Sequence, residues 1–151
     1  MAVVKSPKLS PMLEDPDDYR PNSQWALVTD PGGPGGAVEN LCMIIEEVAE
    51  GDHIPLHRHT LDEIVVIIEG RAEVVLEEER VRPKAGDVVF IPAGVRHGHA
   101  NVGEGPLRIH ATFPSTTIDI EMLARNPAPG TEEKAPSHVI YDARTGVFRE
   151  R

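Results

Sequence analysis

Residues 51–70 read GDHIPLHRHTLDEIVVIIEG, and the fold and the chemistry both start from this stretch. His57 and His59 are two apart, so on a strand their side chains point to the same face. Glu63 keeps that parity after a short turn-like step at Thr60-Leu61-Asp62. The β-branched run Ile64 to Ile68 comes next and stops at Glu69-Gly70. Two imidazoles and a carboxylate from one segment suit a divalent first-row metal: Fe, Mn, Ni, Cu or Zn. A fourth ligand must come from elsewhere. The candidate is His97, just past the turn Pro92-Ala93-Gly94, where a strand would restart beside the first.

Working outward, further short β-branched runs lie at Ala72 to Leu76, Val88 to Ile91 and Leu107 to Phe113. Turn clusters separate them at Glu77 to Glu79, Pro83 to Asp87, Pro92 to Gly94 and Gly103 to Pro106. Short strands broken by turns every ten residues or so indicate an all-β sandwich or barrel. Val38 to Val48 is apolar but alternates weakly, and it is read as strand only because the clearer strands from Gly51 onward favour that class. The first 24 residues, rich in Pro, Asp and Ser, read as an arm or a loosely packed segment, with a strand at Gln24 to Thr29. Pro31 to Gly36 (PGGPGG) reads as a turn. Towards the C-terminus, Glu121 to Arg125 is expected to form a helical turn ended by Asn126-Pro127. Ala128 to Pro136 reads as a linker, and Val139 to Phe148 as a terminal strand or tail. The expected organisation is an N-terminal arm (1–36), a barrel (37–114) and a C-terminal extension (115–151).

These residues resemble the two motifs of the cupin superfamily. Gly51, His57-Arg58-His59, Glu63 and Gly70 stand at the spacing of the first motif. Gly86, Pro92-Ala93-Gly94, His97 and Asn101 stand at that of the second. The intervening segment, Arg71 to Ala85, is similar to that of compact, single-domain Cupin_2-type microbial proteins. The resemblance implies a six- to eight-stranded antiparallel barrel of jelly-roll type (a double-stranded β-helix) with a metal inside its mouth. It also implies that His57, His59, Glu63 and His97 are the ligands. Gly70 and Gly86 are expected to permit tight turns.

Other polar residues carry weaker expectations. His99 shares the parity of His97 and is read as either a cavity-lining acid/base group or a packing residue. Arg108 and His110 alternate with Leu107, Ile109 and Ala111, and the apolar set is preferred as the inward one. Arg58 is expected to point outward and His53 to be a solvated turn residue. Asp15, Asp17 and Asp18 read as a solvated acidic loop. The lone cysteine, Cys42, reads as a small core residue.

The 151-residue chain fits one domain. Its net charge of −10 argues against nucleic-acid and membrane partners. With no apolar segment long enough for a span, no signal core at Met1 to Met12 and no possible intrachain disulfide, a cytoplasmic protein is expected.

Four protein ligands leave two positions on an octahedral ion, and three neutral imidazoles with one carboxylate give a divalent site a net charge near +1. That suits a metal-dependent enzyme on a small organic substrate. A dioxygenase-type oxidoreductase is placed ahead of an isomerase or lyase, with His99 or Glu63 moving a proton. The alternative from another class is a non-catalytic small-molecule binding cupin; a storage role is less favoured. A homodimer is expected as well, because barrel edges need covering and Trp25-Ala26-Leu27-Val28 can add to a neighbour's sheet.

Overall fold

The alternation of side chains along the chain carries directly into burial. In the computed structural model, which describes residues 2–13, 15–32 and 37–151, strand β5 (Glu63–Glu69) buries Glu63, Val65 and Ile67 and exposes Ile64 and Ile68. Strand β10 (Leu107–Phe113) buries Leu107, Ile109, Ala111 and Phe113, so the apolar set does face inward. Arg108 is left outside, where it donates to Glu47 (2.9 Å) and Glu69 (2.7 Å).

Two antiparallel sheets pack face to face as an all-β jelly-roll barrel. The first runs β1 (Ser10–Met12), β2 (Arg20–Val28), β3 (Cys42–Val48), β10, β5 and β8 (Val88–Ile91). The second runs β13 (Val147–Glu150), β12 (His138–Asp142), β11 (Thr117–Met122), β4 (His53–Arg58), β9 (His97–Asn101), β6 (Ala72–Leu76) and β7 (Glu79–Val81). Between the sheets, Val48, Val65, Ile67, Val74, Leu107, Ile109 and Phe113 lose essentially all contact with water. Each such apolar side chain contributes about 1.5–3 kcal/mol. Cys42 lies in this core, and burial pushes its thiol up to about 11. It is inert packing. No helix among the described residues is long and apolar enough to cross a membrane.

The ends of the chain differ most from expectation. The first segment supplies β1 and β2, and Gln24 to Val28 pair with Glu47 to Met43 of the same chain. The helical turn expected at Glu121 to Arg125 does not form. Glu121 and Met122 finish β11, paired on one side to Arg58 and His57, and Glu121 is paired on the other to His138. Tertiary strand pairing outweighs a weak local helix signal. Val139 to Phe148 is a hairpin, β12 to β13, and Glu79 opens β7 instead of closing a turn. The Pro31 to Gly36 turn lies partly outside the described residues.

Two glycines allow the strands around the site to close. Gly70 has φ +87°, and a Cβ there would stand 2.8 Å from the Pro106 carbonyl oxygen. At Gly98, between His97 and His99, a Cβ would stand 3.0 Å from the Ile54 oxygen, so any side chain there would press β9 away from β4 by a few tenths of an ångström. Asn101, the last motif residue, ties loops together. Its Nδ2 donates to Val48 O (3.0 Å) and Gly105 O (2.8 Å), and its Oδ1 accepts from Gly103 N.

Candidate metal centre

Strand β4 and the turn after it carry His57 and His59, β5 opens with Glu63, and β9 opens with His97. Antiparallel pairing sets His57 directly against His97. Their ring centroids are 4.2 Å apart, and His59 stands 4.9 Å from His57 and 5.3 Å from His97. All four side chains are buried, and one donor atom from each lies within 4.8 Å of the others. Two ligands on one first-row ion are at most roughly 4.2 Å apart, twice a bond of ~2.1 Å. The widest pair therefore needs to close by only about 0.6 Å for all four to share one ion.

Each imidazole is oriented by a carbonyl. Nδ1 of His57 faces Pro55 O (2.7 Å), that of His59 faces Asp119 O (2.5 Å), and that of His97 faces Val95 O (2.9 Å). Donation from Nδ1–H leaves each Nε2 lone pair for a metal. Nε2 of His97 and Oε2 of Glu63 are fully buried and face each other at 2.9 Å, with no further hydrogen-bond partner among the described residues. With Nδ1–H donated to the carbonyl, this close approach sets two lone pairs against each other, a repulsion that a cation held by these atoms would remove.

The electrostatics favour the ligand forms. Burial, reinforced by His97 and His59, holds His57 well below the ordinary imidazole range. Burial also lowers His59, against the opposing pull of Glu63. For Glu63, burial alone would raise the carboxyl, but His97 and His59 outweigh it and the net shift is downward. Neutral imidazoles beside an ionised carboxylate are the state that binds metal.

The structure brings together what the sequence suggested and adds what it did not. His99 does line the cavity; it is 3% exposed, and neither ring nitrogen has a partner among the described residues. Burial and then His97 hold it at about 4, so it is neutral at pH 7. Arg58 points outward onto Glu121 (2.7 Å). His53 is exposed, though it opens β4 instead of sitting in a turn.

The acidic loop requires correction. Asp17 is buried against Arg125 and accepts from Ser137 N (2.7 Å). Asp18 is buried against Arg20, whose Nε and Nη2 each reach it at 2.7 Å. Arg20 Nη2 also donates to Glu46 Oε2 at 2.8 Å. Buried guanidinium partners, distant in sequence for Asp17, explain why these carboxylates leave solvent. Glu46 and this triad were not anticipated. The available signal was a charged residue at the inward parity of β3, alongside Cys42, Ile44 and Val48.

Above the ligands opens a cavity of about 270 Å³ whose lining is mainly apolar. Trp25, Tyr141 and Phe148 form one wall in edge-to-face contact, with centroids 6.0 and 5.9 Å apart. Phe113 packs edge-on against His59 at 5.1 Å. Glu46, Asp18 and Asp15 also line the space.

Comparison with known proteins places this geometry. The family model for the cupin domain, Cupin_2, matches residues 44–113. An uncharacterized protein of Methanocaldococcus jannaschii is 40% identical over 63 residues, 41% of this chain and 50% of the relative. The chain spans about half the length of the curated relatives it matches. Among solved structures, the polyketide cyclase RemF of Streptomyces resistomycificus superposes with a TM-score of 0.68 at 19% identity, over 97% of both chains. Oxalate decarboxylase of Bacillus subtilis superposes with a TM-score of 0.56 at 21% identity, over 69% of this chain and 28% of that one. At such identities the likeness is one of fold. With both motifs in place and the family model over its centre, residues 44–113 are a cupin domain, set in a jelly-roll fold.

Proposed function

We propose that the protein is a metal-dependent enzyme acting by proton transfer on a small, flat, largely apolar organic substrate that carries chelating oxygens. The observation that carries this reading is His99: a buried, neutral imidazole whose ring nitrogens have no partner among the described residues, opening on the same cavity as the His57/His59/Glu63/His97 set. A divalent ion held by that set supplies Lewis acidity at substrate oxygens. The chain's own residues do the rest. The aromatic wall of Trp25, Tyr141 and Phe148 orients a planar ring system, and the apolar lining excludes water, which strengthens every polar contact inside. His99, neutral at pH 7, takes a proton at one ring nitrogen or yields one from the other.

A dioxygenase is the second reading, favoured by the three-histidine, one-carboxylate set, with Glu63 as the alternative proton carrier. The proton-handling groups around the cavity support isomerase or lyase chemistry as the first reading. To decide, the protein would be purified without added metal, its metal content measured, and polyhydroxylated aromatic ketones incubated with it in an oxygen electrode. A product of unchanged mass, or lighter by one water, without oxygen uptake supports proton transfer. A product heavier by two oxygen atoms with stoichiometric uptake establishes the dioxygenase. Tight ligand binding with no turnover would make it a binding cupin.

The same reading includes a cytoplasmic homodimer. Strand β8 is a free sheet edge among the described residues, and its outward residues Val88 (46% exposed) and Phe90 (69%) continue Ile64 and Ile68 of β5. An antiparallel edge is complementary to its own copy about a two-fold axis, and this patch lacks the charge that dominates the chain. Phe90→Glu should convert a light-scattering mass of two chains to that of one 16.5 kDa chain. A monomeric wild type at tens of micromolar would remove the dimer.

A further inference from the structure

The metal reading leaves one part of the cavity without a task. Glu46 projects from β3 in the six-stranded sheet, and the histidines project from β4 and β9 in the facing sheet. Its Oε2 accepts from Arg20, and among the described residues no group donates to its Oε1. Arg20 is 2% exposed and is shared between Asp18 and Glu46, so the triad sets two carboxylates against one guanidinium. Such a buried, unequal cluster costs stability relative to apolar packing, and perturbed groups of this kind concentrate at functional sites. A second, independent feature marks the same space as polar by design: His99, almost fully buried, offers two unpartnered nitrogens into it. The remainder of the wall is aromatic and aliphatic.

We propose that Glu46, held by Arg20 and Asp18, is a specificity-determining hydrogen-bond acceptor that selects substrates carrying a further hydroxyl group besides their metal-chelating oxygens. The proposal rests on the metal-dependent reading above and sharpens its substrate class to flat, hydroxylated ring systems. Burial, opposed by Arg20 and then reinforced by Asp18, raises the Glu46 carboxyl, which makes it a stronger acceptor for a hydroxyl proton. Arg20 fixes which oxygen is free. Because Nη2 engages Oε2, Oε1 is the one left for a ligand.

The test uses protein loaded with Zn²⁺, a redox-inert ion, and three probes: 2,3-dihydroxynaphthalene, its 6-hydroxy derivative and its 6-methoxy derivative. The vicinal hydroxyls address the metal, and position 6 addresses Glu46. Affinities come from calorimetry, and the emission of Trp25, the chain's single tryptophan and a cavity residue, reports entry into the cavity. Wild type should bind the 6-hydroxy probe about 10-fold more tightly than the 6-methoxy probe, the worth of one hydrogen bond to a charged acceptor. Glu46→Gln should abolish that preference. Its amide oxygen is drawn to Arg20, so its NH₂ faces the ligand and turns an acceptor into a donor, while 2,3-dihydroxynaphthalene binds within about 2-fold of wild type. Equal affinity of wild type for the hydroxy and methoxy probes overturns the proposal, and so does a preference that survives in Glu46→Gln. If Glu46→Gln does not fold, the hydroxy-to-methoxy ratio of the wild type alone decides. Failure of the metal reading is seen separately, as binding of the dihydroxy probe that is indifferent to Zn²⁺. No binding of any probe overturns the proposal together with that reading.

Discussion

Between Gly51 and Asn101 the chain supplies His57, His59, Glu63, His97 and His99. The flanking segments supply Trp25, Tyr141, Phe148 and the Asp18–Arg20 pair. The two regions are built by different means. His57 and His97 are oriented by carbonyls two residues earlier in the chain, so their placement is local and cheap. The cavity wall and the buried ion cluster depend on contacts made across the chain, such as Arg20 with Glu46 and Arg125 with Asp17. The central motif region carries the candidate metal cluster, and the terminal strands wall the cavity beside it. They meet at Asp119 on β11, whose carbonyl faces His59 and whose carboxylate accepts from Thr60 N.

If this division is right, damage to the terminal half should show in folding and damage to the central half in metal. Arg20→Met leaves Asp18 and Glu46 buried without a cation and should destabilise the fold by about 3–5 kcal/mol. Chemical denaturation that moves by less than about 1 kcal/mol would mean that the triad is solvated.

His57→Ala or His97→Ala should lower metal affinity more than about 100-fold, beyond the effect of an outer-shell change. The metal-free thermal midpoint should stay close to wild type, since burial in the core supplies most of the stability. Wild-type metal stoichiometry in both variants would end the four-ligand assignment.

A pH series sharpens the contrast. The folded-state values of His57, His59 and His99 are depressed below the ordinary imidazole value of 6.5. Below about pH 6.5 the unfolded chain takes up protons that the folded protein refuses, so stability falls as pH falls. For His99, the loss runs down to its folded value of about 4. By pH 5 it amounts to about 2 kcal/mol from this residue alone. His99→Leu should flatten the slope of metal-free stability between pH 7 and 5; an unchanged slope would show that His99 titrates normally.

Asp119→Ala tests the junction. Loss of its grip on Thr60 should loosen His59 and weaken metal binding about 10-fold while leaving the fold intact. Arg58→Ala, between two ligands in sequence but turned outward to Glu121, should change neither metal content nor the thermal midpoint measurably. A loss of metal there would show that the outer face of β4 helps to hold the site.

The sequence by itself determined the central strands, the inward parity of Leu107, Ile109 and Ala111, and the four residues of the candidate metal cluster. These properties come from two-residue alternation and from motif spacing, both written locally in the chain. Only the tertiary structure decided that Asp17 and Asp18 are buried, that Glu46 faces a cavity, and that Trp25 meets Tyr141, which in turn meets Phe148. It also decided that Trp25 to Val28 completes its own sheet and that Glu121 belongs to a strand. A carboxylate's solvation depends on whether a guanidinium from another strand arrives beside it. A weak local conformational preference, likewise, yields to whichever strand offers its backbone hydrogen bonds. Neither partner is visible until the chain has closed on itself.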